Sequence, residues 1–147
     1  MGDSSNQSAA AWQVRVAELA LSASSAEVSE AADLLRELHE LSNSAPATWA
    51  ELRGGAAEAA RFETLLAAGA CASAALLLIA GRAGYMVSQG LGGRVMATVS
   101  LGNGSGEVSS EGADLALALT AALAEAISGA GIVARSARPG LESLRLN

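Results

Sequence analysis

Thr64 to Gly81 form an uncharged run of 18 residues, and this run constrains the fold more than any other feature of the chain. A run of that length stands at the lower edge of what a helix needs to cross a bilayer, about 18–20 residues. Its middle, Ala67-Ala68-Gly69-Ala70-Cys71-Ala72-Ser73-Ala74-Ala75, is only weakly hydrophobic. Interfacial tryptophan or tyrosine is expected on both sides of a membrane helix, yet only Tyr85 stands near, on one side. Phe62, Leu65, Leu66, Gly69, Ser73, Leu76 and Leu77 recur along one face, a stripe that a core helix uses and a lipid-facing helix does not need. The spacing therefore predicts a long buried helix over about Ala56 to Ala80, stopped by Gly81 and Gly84. A single-span membrane protein is the competing reading, and a membrane partner is disfavoured.

Upstream, the pattern is helical. Residues 1–8 are polar and are expected to be a disordered tail. Residues 9–55 read as a helical region. Trp12, Val16 and Leu19 give a first helix one apolar stripe, over about Ala9 to Leu21. Ser24 with Glu27 has the capping-box spacing that opens a second helix. On it Val28, Ala31, Leu35, Leu38 and Leu41 recur at three- and four-residue steps, with Glu30, Asp33, Arg36, Glu37 and Glu40 opposite. Pro46 suits a first helical position, and Thr48 with Glu51 opens a short helical turn ended by Gly54-Gly55. Two apolar stripes joined by so short a break predict surface left for a partner chain to cover, so a homo-oligomer or protein partner is expected.

Downstream, the period changes. Tyr85-Met86-Val87-Ser88 reads as a strand, and Gln89 to Gly93 as a flexible turn. Arg94 to Leu101 alternates, with Val95, Ala97, Val99 and Leu101 on one face. Asn103-Gly104 is a hairpin-turn dipeptide, which makes Glu107-Val108-Ser109 a possible third strand. An amphipathic helix over about Ala113 to Ser128 comes next, with Asp114 near its positive end. Ile132-Val133 reads as a possible short strand. Residues 56–134 are thus expected to form an α-β-β-α domain, and 135–147 a loose tail. The fold class is α+β, because a hairpin alone is marginal and needs helices over one face.

Little in the chain points to chemistry. Every basic residue is one of nine arginines, so lysine Schiff bases and a P-loop lysine are excluded. A net charge of −6 argues against a nucleic-acid partner, since phosphate affinity depends on clustered cations. His39, the single histidine, lies beside Glu40 on the charged side of its helix and is expected to be a solvated surface residue. Glu37 and Glu40 are near it in sequence, but Glu40 points elsewhere on a helix, so the set is poorly aimed for a metal. Gly90, Gly92 and Gly93, and later Gly102, Gly104 and Gly106, lack the order that feeds a phosphate to a helix N-terminus, and read as turns. Cys71 has no cation within a helical turn to activate it and is expected to be a small buried hydrophobe. One cysteine allows no internal disulfide, and a polar, acidic start is no secretory leader, so a cytoplasmic protein is expected. No catalytic, cofactor-binding or metal-ligating residue is predicted.

The C-terminal half has a likeness. A helix ending in Ala74-Ala75-Leu76-Leu77-Leu78, a strand pair led by Tyr85, a glycine-rich turn, and Leu115-Ala116-Leu117-Ala118 running on to Ala121-Ala122-Leu123 resemble the phage ABA-sandwich proteins. These are small phage and prophage-type proteins common in GC-rich bacteria. The likeness covers residues 65–127 and implies no activity or site residue. The leading expectation is a non-enzymatic accessory or assembly protein acting through protein–protein contacts. A small enzyme or ligand-binding protein with a site assembled from scattered residues is the main competitor.

Overall fold

Alanine- and leucine-rich sequence gives way to alternating, glycine-rich sequence after Ala80, and the element order tracks that change. A computed structural model describes residues 2–102 and 106–129. Helix α1 spans Gly2–Ser25, α2 Ala31–Asn43, α3 Ala56–Ala67 and α4 Cys71–Ile79. Strands β1 (Ala83–Gln89), β2 (Val95–Leu101) and β3 (Glu107–Gly112) come next. A final helix, α5, occupies residues 115–129. Short 3-10 turns at Val28–Glu30 and Ala47–Leu52 link the first helices. The strands form one antiparallel sheet in the order β1-β2-β3, so the fold is α+β, with helices before and after the sheet.

The long helix expected over Ala56 to Ala80 is two helices. Gly69 adopts a φ of 76°, a conformation that costs glycine nothing and other residues much. Its N–H donates to the Leu66 carbonyl at 3.0 Å and the Ala70 N–H to the Leu65 carbonyl at 2.8 Å, the bond pair of a Schellman cap. Gly69 therefore ends α3; it does not make room for a neighbour inside a longer helix. The break also changes which residues face inward. Phe62, Leu66, Ala74, Ala75, Leu78 and Ile79 are buried, while Leu65, Leu76 and Leu77 are only half-buried. Among the described residues no helix is long and apolar enough to cross a membrane.

The N-terminal helices differ from expectation at their ends. From Gly2 onward, the segment expected to be a disordered tail belongs to α1. The helix also runs through Ser24 and Ser25, whose hydroxyls donate to the Leu21 carbonyl at 2.9 and 3.2 Å and so tolerate a helical position. The capping box falls one turn later, where the Glu30 carboxylate accepts the Glu27 N–H at 2.8 Å. Pro46 precedes its 3-10 turn as the capping residue and is not the first residue within it.

One core joins the regions that the sequence divides at residue 55. Trp12, Val16 and Leu19 of α1 and Leu35, Leu38 and Leu41 of α2 belong to the same buried cluster as Ala97 and Val99 of β2. Apart from Val28, which is exposed in the turn before α2, the apolar stripes of α1 and α2 are consequently covered within the chain, and they no longer supply a reason for a partner. At the centre lies α5. Residues 116–124 are all buried, so the helix is enclosed on every side. Each fully buried leucine there contributes about 1.5–3 kcal/mol, and the alanines between them let neighbouring backbones approach. Asp114 caps its start, accepting the Leu117 N–H at 2.9 Å.

Helix C-termini present carbonyls that need donors. Backbone N–H groups past α2 and α4 supply some of them, and side chains from elsewhere in the chain add others. Arg94 reaches the Ser24 carbonyl of α1 at 2.9 Å, and the Trp12 indole N–H reaches Leu41 of α2 at 2.8 Å. Arg82 donates to Leu78 of α4 at 3.0 Å. Gln13 donates to both Ile127 and Ser128 of α5 at 3.0 and 3.1 Å. Adjacent residues of α1 thus tie down the ends of α2 and α5.

Candidate functional site

His39 is not a solvated surface residue. It lies four residues after Leu35 and three before Ser42, all three buried on α2, and its exposure is 9%. Its ring stacks on Phe62 of α3, with centroids 4.3 Å apart and planes 30° from parallel. Asn43 fixes its protonation pattern. The Asn43 Oδ1 accepts the Gly54 N–H at 3.0 Å, which turns the amide nitrogen toward His39 Nε2 at 3.1 Å. Nε2 must then accept, so the network assigns the neutral tautomer with its proton on Nδ1. Among the described residues no nucleophile or carboxylate completes a catalytic arrangement around it, and the ring serves to pack α2 on α3.

The other candidate groups do not converge. Cys71 is half-buried at the first position of α4 and packs beside the core. Among the described residues, no three His, Cys, Asp or Glu side chains lie close enough to hold a metal ion. Gly90 to Arg94 form the β1–β2 turn, with Gly90 N–H donating to the Arg94 carbonyl at 3.1 Å, so those glycines serve the hairpin. The Asn103-Gly104 turn, Ile132-Val133 and the tail 135–147 fall outside the described residues.

The most enclosed ion pair among the described residues is that of Arg82, just after α4. Its guanidinium contacts both Glu58 oxygens, at 2.8 and 3.0 Å, and both side chains are largely shielded from water. Its Nε is buried without a partner. An open cleft of about 260 Å³ runs beside it, bordered by Trp49, Glu51 and Leu101. Glu58 already neutralises the arginine, and Glu51 adds a negative charge at the rim. The cleft therefore offers an anion no net attraction. Arg82 instead links α3 to α4 and caps α4.

The sheet edge differs from all of these. In β2, Ala97 and Val99 are fully buried, and their cross-strand partners on β1 are Val87 and Tyr85. Paired residues point to the same side of a sheet, so Val87 and Tyr85 share the core face. Yet Tyr85 is 48% exposed and Val87 43%, because no described helix reaches over β1. On the opposite face Met86 is 63% and Met96 41% exposed, and Leu91 stands free at the hairpin tip. Alternation in Arg94 to Leu101 reveals the buried face of β2. It cannot reveal that β1 lies at the edge, since strand order depends on where the helices end up.

The chain matches no family model, no curated protein and no solved structure.

Proposed function

We propose that this protein is a non-enzymatic accessory or assembly protein of the bacterial cytoplasm, acting by protein–protein contact through β1. The observation that carries this reading is the run Tyr85-Met86-Val87, apolar, uncharged and exposed on both faces of an edge strand. Contiguous exposed apolar surface of that kind marks an interaction site more often than a solvated one. Among the described residues β1 pairs on one side only, so the N–H and C=O groups of its other side can add main-chain bonding, the usual means by which a sheet accepts another strand. Phage or prophage descent belongs to the same proposal, supported by the resemblance over residues 65–127.

A photo-crosslinking residue placed at Met86, compared with one at the exposed Val14 of α1, tests the reading in the cells that make the protein. Defined protein adducts from position 86 and none from position 14 are expected. Equal labelling from both positions, or none from 86, would overturn it.

A further inference from the structure

We infer that the strand accepted by β1 is β1 of a second copy, paired antiparallel about a two-fold axis at Met86. This deepens the contact reading above and rests on it.

The edge is built without the devices that keep strands apart. Ala83–Gln89 contains no charge and no proline, and its pairing with β2 runs through seven consecutive residues without a bulge. Charged side chains, prolines and bulges are how exposed edges avoid other strands. At about 3.4 Å per residue the open ladder is about 24 Å long. The occupant must therefore be a strand, and one that needs no charged partner opposite it.

A second β1 meets both conditions by symmetry. A two-fold axis perpendicular to the sheet keeps the helical layers of both copies on one side. Directly opposed residues must then share a face, so only registers with an even residue sum match the pleat. The register that pairs all seven residues places Met86 opposite its own copy. Tyr85 then faces Val87 of the partner subunit on the core side, an aromatic against β-branched pair of the favourable kind. Gly84 faces Ser88 of the partner subunit, which leaves the flanks uncrowded. The exposure of Tyr85 and Val87 shows that no described helix of this chain blocks that approach. The product is a continuous sheet with three strands from each copy.

The dimer is expected to be weak. A contact made through one seven-residue strand is small beside the about 800 Å² per partner of a standard stable interface. Each chain also carries a net charge of −6, so the copies repel and salt should tighten the pair by screening. A complex with a basic partner would respond to salt in the opposite direction.

The test replaces Cys71 with Ala, to remove the native thiol, and adds Met86→Cys. Opposed residues of an antiparallel pair have Cα atoms about 4.5–5.5 Å apart, within reach of a disulfide. A covalent dimer should form rapidly under mild oxidant, whereas Leu21→Cys on the exposed face of α1 should give little. Sedimentation of the unmodified chain should show a monomer–dimer equilibrium near about 100 µM that tightens with salt, and Met86→Lys should weaken it about tenfold by opposing two ammonium groups. A strict monomer at that concentration, or equal disulfide formation at positions 21 and 86, overturns self-pairing. If the photo-crosslinker at 86 then gives a different protein as its adduct, the contact reading survives alone. If it gives none, both readings fall.

Discussion

The two edges of the same sheet are built differently. The β3 edge carries Glu107 and Glu111, contacts α1, and bonds to the final helix through Ser110, whose hydroxyl donates to Glu125 at 2.9 Å. Its last residue, Gly112, lies against the backbone of α5. The β1 edge has no charge over seven residues, and no described helix covers its core-facing Tyr85 and Val87. Both strands pair with β2 in unbroken register, so the difference does not come from strand pairing. It comes from connectivity. The chain leaves β3 directly into α5, whose first turns lie against Gly112. Strand β1 emerges from a tight turn after α4, which touches its start but leaves Tyr85 and Val87 exposed. One edge is closed by the next element of the chain, and among the described residues the other is not.

Closing the β3 side depends most on Gly112. A Cβ built there meets the Ala118 nitrogen and lies 2.8 Å from the Leu117 carbonyl carbon. Backbone atoms at the start of α5 cannot move aside as a side-chain tip can, because residues 116–124 are enclosed on all sides. Gly112→Ala should therefore cost about 3 kcal/mol or more, among the largest single-residue effects. Thermal or denaturant unfolding would show it as a chain that is barely folded. Near-normal stability would mean that α5 does not press on the sheet at this point.

How far the sequence foretells this arrangement varies with the kind of signal. Alternation in Val95 to Leu101 and the stripe of Leu35, Leu38 and Leu41 are local, and their core-facing residues are buried or nearly so. Asp114 is legible for the same reason. The split at Gly69 is legible in principle, since glycine at a helix end is a common stop signal. The uncharged stretch around it conceals the stop. The side-chain caps from Trp12, Gln13 and Arg94 are not legible, because each bridges residues far apart in sequence. His39 misleads because Glu40 beside it suggests a charged face, whereas its spacing from Leu35 and Ser42 points inward. Its burial changes an expectation: His39→Ala, silent on the sequence reading, should cost about 2 kcal/mol through the lost Phe62 stack and the unpaired Asn43 amide. His39→Phe, which keeps the ring contact, should recover part of that loss. Urea unfolding of the pair of variants would separate packing from hydrogen bonding.

A smaller effect is expected where β3 meets α5. Ser110→Ala removes one hydrogen bond to a carboxylate that water can still reach, since Glu125 is exposed. The loss should be about 1 kcal/mol. Amide hydrogen exchange gives a finer readout, with faster exchange along Glu107–Gly112 and little change along β1. Uniform acceleration across the sheet would mean that the β3 contact supports the whole domain and not just its own edge.

The smallest effect on folding should come from giving β1 a charge, as β3 already has. Met86 is 63% exposed and stands opposite Thr98, on the face away from the core. Lysine there keeps its ammonium in water and lays its stem where the methionine was. Thr98 already bonds to Ser109 at 2.7 Å, so the outer face keeps its own polar pairing. Folding stability of Met86→Lys should therefore lie within about 0.5 kcal/mol of the parent, the range of ordinary surface substitutions. To keep folding apart from association, the unfolding measurement belongs at low micromolar concentration, where the expected dimer is dissociated. A loss well beyond that range would show that β1 is needed to hold its own fold together, and that its apolar side chains serve the monomer. An unchanged monomer would show that Met86 is free to serve a contact, because the fold gains nothing from keeping an apolar residue at a position so open to water.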